Sequence, residues 1–245
     1  MRDYKEETFK RVEFIKEQIK SSGTNGIVFG NSGGKDCALV GILCKKACDN
    51  VLSVMMPCVS KRNYNEDLKD AIEVAKKYDI EYLTVDLTPA RELFIKSVEK
   101  TSGKISELSK ANINPRLRMT TLYSIAQTKN MLVAGTGNAS ERYMGYFTKW
   151  GDGACDFNPI SDLTVKEVYE FLDYLDAPEA IMTKAPSAAL FEGQTDEEEL
   201  GITYKEIDDF ILNGKITEEN RKLVEKAHFR TEHKRQLPKV YKEKI

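Results

Sequence analysis

Nowhere do the 245 residues hold the roughly 18 consecutive apolar side chains that a bilayer-spanning helix needs. The opening Met1-Arg2-Asp3-Tyr4-Lys5-Glu6-Glu7 also lacks the apolar core of a signal peptide, so a cytoplasmic location is expected. Histidine is scarce, with only His228 and His233, and the five cysteines (Cys37, Cys44, Cys48, Cys58, Cys155) contain no CxxC pair. Zinc sites and a disulfide framework are thereby excluded, and any metal falls to carboxylates and must be a hard cation. No sign of charge dominates either: 37 Lys and Arg face 39 Asp and Glu, for a net charge of −2, which argues against a broad nucleic-acid surface. Repeats, low-complexity tracts and flexible linkers are missing too, so a single domain over residues 1–245 is expected, large enough to bury its own core.

What is present is an alternation. An amphipathic helix over 5–20 (Phe9, Val12, Ile15, Ile19) leads to the apolar run Gly26–Gly30, a glycine turn, and an Ala/Leu/Ile-rich helix from Cys37 to Cys48. Strands are expected again at Val51–Met56, Glu81–Leu87 and Met131–Gly135, with helices at 65–78, 88–101 and 115–129 between them. Such alternation predicts an α/β fold, a doubly wound parallel sheet flanked by helices, with ligands beyond the carboxyl ends of the strands. Past residue 141 the chain is rich in Gly, Asp and Pro, broken by helices near 164–175, 203–212 and 217–229. Charge there is uneven: Glu192–Asp209 holds eight acids and one Lys, and Arg221–Ile245 nine Lys or Arg against three Glu. Such runs read first as solvated faces, though a basic tail can also fold over a phosphate-bearing ligand.

Chemistry concentrates at the strand ends. Ser32-Gly33-Gly34-Lys35-Asp36 lies between a strand and a helix start, where glycines let the backbone turn its N–H groups toward phosphates. Neither GxxxxGK[ST] nor GxGxxG can be threaded through it. A carboxylate such as Asp36 beside a phosphate cradle is costly unless a cation lies between them. Glu141, leaving the fourth strand through Gly135-Thr136-Gly137-Asn138-Ala139-Ser140, supplies a second carboxylate over the same edge. Asp36 and Glu141 are therefore the candidate Mg²⁺ pair and the candidate catalytic residues.

Ser-Gly-Gly-x-Asp resembles the pyrophosphate loop of ATP pyrophosphatases, which split ATP into AMP and pyrophosphate while activating a substrate oxygen. The rest of the chain resembles one branch of them, the NH3-dependent NAD+ synthetases. The matching text is Asn114–Met119, Gly135–Glu141, Gly145–Asp156, Pro186-Ser187-Ala188, Gln194–Glu197 with Leu200-Gly201, and His233-Lys234-Arg235, in the family's order.

The resemblance implies the adenine nucleotide alpha hydrolase-like fold with a five-stranded sheet, and a homodimer. It implies a two-step reaction in which the nicotinate carboxylate of deamido-NAD attacks ATP, releasing pyrophosphate, and ammonia then displaces AMP to give NAD+. By motif, Gly30, Asn31, Ser32, Gly33, Gly34, Lys35, Asp36, Cys37, Thr136, Lys166 and Ser187 would bind ATP. Arg116, Lys149, Asp156, His233 and Lys234 would bind deamido-NAD. Alone, Arg116 and Lys149 would pass for surface cations, Asp156 for a turn cap and His233 for an idle histidine; the motifs around them make them ligand residues. In the family the 194–201 stretch closes over the site and keeps water from an acyl-adenylate.

Three departures from the family pattern stand out. Cys37 takes a serine's place and weakens any side-chain contact to phosphate; Asn31 replaces an apolar residue; and a family lysine falls at Val165, leaving Lys166 one position, about 100° of helix, away. Only about 25 residues precede the first strand, so no glutamine-hydrolysing domain is expected and free ammonia is the expected nitrogen donor. Two alternatives remain: a nucleotide-binding sensor that has lost turnover, and another pyrophosphate-loop enzyme such as a GMP synthetase core or a tRNA-thiolating enzyme.

Overall fold

A computed structural model describes residues 2–60, 64–184 and 195–241. The chain opens with α1 (Tyr4–Ser22), capped at its start by Asp3, whose carboxylate accepts from the N–H groups of Lys5 and Glu6. Then follow β1 (Gly26–Gly30), α2 (Lys35–Ala47), β2 (Val51–Met55), α3 (Glu66–Lys77), β3 (Glu81–Thr84), α4 (Thr88–Ser102), α5 (Glu107–Lys129) and β4 (Met131–Ala134). All strand pairs are parallel, in the order β3-β2-β1-β4.

Four strands are present among the described residues rather than the five expected. Where a fifth would lie, only a bridge between Ala134 and Phe157 forms, held by Gly135 N–H to Phe157 O and Asp156 N–H to Val133 O. Pro159, two residues beyond Phe157, has no N–H to extend that pairing. β3 stops at Thr84 rather than 87, although Val85 and Leu87 still donate to Met55 O and Pro57 O.

Side chains of adjacent strand residues point to opposite faces, and both faces are packed. Ile27 and Phe29 join α2 and helical Phe171 on one side; Val28, Leu52, Val54 and Val133 join Leu117, Leu122 and Ala126 of α5 on the other. This is why the strands read as continuous apolar runs. α5 begins eight residues before the sequence reading placed it. Pro115 looks like a first-turn residue, but Ser106 caps the helix earlier by accepting from Ser109 N–H, and Pro115 lies inside it.

The last third adds α6 (Ala139–Met144), α7 (Val165–Tyr174), α8 (Glu179–Met182), α9 (Asp196–Leu200), α10 (Tyr204–Asn213), α11 (Glu218–Arg230) and α12 (Glu232–Arg235). A smaller apolar cluster of Met144, Val165, Ile202, Tyr204, Ile207 and Val224 holds α6, α7, α10 and α11 together at the strand ends. Among the described residues no helix is long and apolar enough to cross a membrane, and all five cysteines are free.

Candidate active site

β1 delivers Asn31 into the glycine loop, and the loop delivers the start of α2. Asn31 is buried: its side-chain carbonyl accepts from Gly33 N–H at 3.0 Å, and its amide donates to Ser53 Oγ (3.0 Å) and to Ala71 O (3.3 Å). Gly34 caps α2 and offers no side chain, so the first-turn N–H groups of the helix face the strand ends without a capping oxygen. Thirteen aligned peptides stand behind them, which makes this end of α2 favourable for an anion.

Two carboxylates meet beside it. Asp36 comes from the first turn of α2 and Glu141 from the first turn of α6, which starts just past β4. Asn138, fully buried, ties them. Its carbonyl oxygen accepts from Glu141 N–H at 3.0 Å, its backbone N–H donates to Glu141 Oε2 at 3.1 Å, and its Nδ2 donates to Asp36 Oδ1 at 3.1 Å. Lys35, only 7% exposed, donates to Asp36 Oδ2 at 2.6 Å, and its ammonium lies 5.9 Å from the centre of the Tyr204 ring.

Burial and then the neighbouring Asp36 charge push the Glu141 carboxyl up to about 8, with Lys35 pulling the other way. Burial works against the Lys35 charge, but Asp36 and Glu141 outweigh it and hold the ammonium above its ordinary value. Two hard oxygen donors whose mutual repulsion is met by a single lysine fit a divalent hard cation that takes its remaining ligands from phosphate and water. No cluster of three or more His, Cys, Asp or Glu capable of holding a metal exists among the described residues, so the protein's share would be these two carboxylates.

Around this centre, Ser32 Oγ and Cys37 Sγ are 3.3 Å apart, and the Thr136 side chain reaches the same thiol. Cys37 is packed in the core and burial pushes its thiol up, so it presents backbone rather than side chain to a ligand. Gly30 ends β1 beneath the loop.

A second group of expected residues gathers across α6. Arg116 Nη2 donates to Lys149 O at 3.4 Å, Lys149 Nζ donates to His233 O at 2.5 Å, and Lys234 Nζ donates to Gly145 O and Phe147 O, both at 2.7 Å. The basic tail is thus folded back onto the end of α6, with Arg235 donating to Arg142 O and His228 O. Burial lowers the Lys234 ammonium below its ordinary value. Gly145, at φ +68°, makes this docking possible, since a Cβ there would fall 2.2 Å from Thr231.

Other expected residues stand apart. Asp156 accepts from Val133 N–H at 2.7 Å and from Tyr123 O–H at 3.2 Å, so it fastens β4 to α5. The Lys166 ammonium lies on the exposed side of α7, 3.7 Å from Glu170, while Val165 is buried in the small apolar cluster. Ser187 and Gln194 lie outside the described residues. Residues that sequence reasoning did not assign also appear here: Asn138, inside a quoted motif yet given no role, and Lys184, whose ammonium reaches the loop carbonyl of Gly33 at 3.2 Å. Asp196 is buried and accepts from the hydroxyls of Tyr204 (3.1 Å) and Tyr146 (3.2 Å). The tyrosine spacing gave no signal of that pairing.

The pattern of the NAD synthase family matches residues 7–243. The chain belongs to that family. It is 44% identical over 240 residues to the NH3-dependent NAD+ synthetase of Carboxydothermus hydrogenoformans, covering 97% of this chain and 98% of that one. The NH3-dependent NAD synthetase of Campylobacter jejuni superposes with a TM-score of 0.80 at 31% identity, covering 99% and 100% of the two chains. The NMN synthetase of Francisella tularensis superposes with a TM-score of 0.92 at 38% identity, covering 98% and 99%. Membership in the NAD synthase family makes the chain a ligase that forms a C–N bond.

Proposed function

We propose that the chain is a single-domain, cytoplasmic, ammonia-dependent NAD+ synthetase that converts ATP, deamido-NAD and NH3 to AMP, pyrophosphate and NAD+. The observation that carries this is the pair Asp36 and Glu141, fastened to one asparagine beside the uncapped start of α2. A nicotinate carboxylate must approach a polyphosphate of like charge, and this corner collects the groups that make the approach possible.

In the proposed reaction the first-turn amides of α2, with Ser32 and Thr136, hold the ATP phosphates, and Gly30, Gly33 and Gly34 let the backbone come close. Asp36 and Glu141 hold Mg²⁺, which when bound would neutralise charge on the phosphates and on departing pyrophosphate. Lys35 holds Asp36 in place through its hydrogen bond to Oδ2. A carboxylate oxygen of the nicotinate attacks the α-phosphorus, the bond to pyrophosphate breaks, and an acyl-adenylate results. Ammonia then adds to the acyl carbon, AMP leaves with the bonding electrons, and the nitrogen gives up its proton to solvent. Arg116, Lys149, His233 and Lys234 line the side on which the rest of deamido-NAD lies. Asp156 serves it only from the β4–α5 seam, and Lys166 and Ser187 are proposed as ATP contacts on their motif positions alone.

The 0.92 TM-score with an NMN synthetase favours a second reading of the substrate, a deamidated mononucleotide in place of the dinucleotide. Incubation with ATP, Mg²⁺, ammonium or glutamine, and either deamido-NAD or nicotinate mononucleotide, tests both. NAD+ formed from deamido-NAD with ammonium and not glutamine is the expected result. Preference for the mononucleotide establishes the second reading, and ATP binding without product under any combination overturns both.

A homodimer belongs to the same proposal. α4 has no buried residue along its 15 positions and leaves Leu93 and Phe94 67% and 48% exposed. Leu93→Glu with Phe94→Glu is expected to give a monomer in analytical ultracentrifugation; an unchanged dimer moves the interface elsewhere.

A further inference from the structure

We infer that Asn31 and Lys184 form a clamp on the Gly33 peptide that presets the phosphate loop, which makes them positioning residues for ATP. The inference rests on the reading that ATP binds at this loop. Gly33 has both polar backbone groups taken by side chains from separate parts of the chain: Asn31 Oδ1 accepts from its N–H at 3.0 Å, and Lys184 Nζ donates to its carbonyl at 3.2 Å. Its φ is +71°, and a Cβ would lie 2.2 Å from Asp67 O, so the peptide is also pressed against the first turn of α3.

Each half of the clamp is itself anchored. Asn31 donates its backbone N–H to Val54 O at 2.9 Å and its side-chain amide to β2 (Ser53 Oγ) and α3 (Ala71 O). Lys184, whose side chain is 15% exposed, pairs with Asp67 Oδ1 and Asp70 Oδ2, each at 2.7 Å. Two carboxylates of α3 therefore stand under the loop read as the phosphate site, and Lys184 bridges them and offsets one of their two charges there. An asparagine in a strand-end position otherwise apolar in the family becomes explicable: it trades apolar packing for a three-way tie among β1, β2 and α3.

The clamp has a chemical consequence. The Gly33 N–H is committed to Asn31, so phosphate must be held by the following amides at the start of α2 and by Ser32 Oγ, and the clamp determines where those donors point. Preset donors lose less entropy on binding than a loop that must be ordered by the ligand.

Calorimetric ATP binding and steady-state KM values for ATP and deamido-NAD, on Asn31→Leu, Lys184→Met, Lys184→Arg and the Asn31→Leu/Lys184→Met double variant, decide the matter. Loss of either tie is expected to weaken ATP binding about tenfold while leaving the KM for deamido-NAD within twofold, the scale of one hydrogen bond in a preset site. Lys184→Arg is expected to restore most of the ATP affinity. Because both ties hold one residue through its two flanking peptides, the double variant is expected to lose less than the product of the single losses. Unchanged ATP affinity in folded Lys184→Met, or equal increases in both KM values accompanied by a lower Tm, overturns the clamp. Should Asn31→Leu not fold, the Lys184 pair decides alone. Absence of ATP binding by the wild-type protein would instead overturn the reading of the loop itself.

Discussion

The two sides of α6 handle charge in opposite ways. On the α2 side, cation and anion meet directly: Lys35 with Asp36, and Lys184 with Asp67 and Asp70. On the far side the cations rest on neutral backbone carbonyls, Arg116 on Lys149 O, Lys149 on His233 O and Lys234 on Gly145 O and Phe147 O. A carbonyl is a weaker partner for an ammonium than a phosphate or carboxylate, so the far side is ready to exchange partners when an anionic ligand arrives. On the α2 side each of these cations already faces a carboxylate, which suits a place where geometry must stand before chemistry begins. Rigid compensation marks the end proposed to react; loosely held cations mark the end proposed to bind the nucleotide.

The largest expected effect tests the reacting end. Asp36→Asn or Glu141→Gln should reduce kcat/KM on the order of 10³-fold, because each removes a charge that would hold the cation, while the fold persists. A loss below tenfold in pyrophosphate release would erase the contrast. Next comes the seam between the two sides. Gly145→Ala places a methyl 2.2 Å from Thr231 at a φ of +68°, and should destabilise the protein by about 3 kcal/mol in thermal or urea melts. Lys149→Met should raise the KM for the deamidated nucleotide about tenfold and leave the KM for ATP unchanged, since only the binding end loses a cation. Movement of both constants together would mean the two sides are not separate.

The smallest expected effect concerns pH. Glu141 has a folded-state value near 8 against an ordinary 4.5, so the native protein binds that proton more tightly than the unfolded chain does. The contribution favours the fold below about pH 4.5 and is lost as pH rises toward 8, so through this group the metal-free protein should melt at a lower temperature at pH 8 than at pH 5. Glu141→Gln should remove that part of the pH dependence, and Mg²⁺ affinity should rise across the same window as the proton leaves.

Much of this was legible before any coordinates. The βα alternation placed all four strands, three of them through apolar runs buried on both faces and the exposed edge strand β3 through its place in the alternation, and Asp36 and Glu141 came from motifs at strand ends. What failed to show depended on distance in space rather than in sequence. Lys184 lies 151 residues from the glycine it holds, and nothing near either position signals the other. The start of α5 was missed because Pro115 imitates a helix beginning while Ser106 supplies the real one. The missing fifth strand has a local cause, the proline at 159, but its effect on pairing emerges only beside β4. Asn31 read as a blemish in the strand until its three partners were in view.

The brevity of α6 has a consequence of its own. Six residues at about 1.5 Å each make a rod of about 9 Å, with Glu141 in its first turn and the carbonyl of Gly145 just past its last. The helix fixes the spacing between the Glu141 corner and the docked tail, the two ends that the proposed function assigns to bond formation and to ligand grip. Substitutions on its outer side leave that spacing intact, but one inserted or deleted residue would turn Glu141 by about 100° relative to the tail that docks on the other end. In this protein the length of α6, more than its composition, sets the offset between Glu141 and the docked tail.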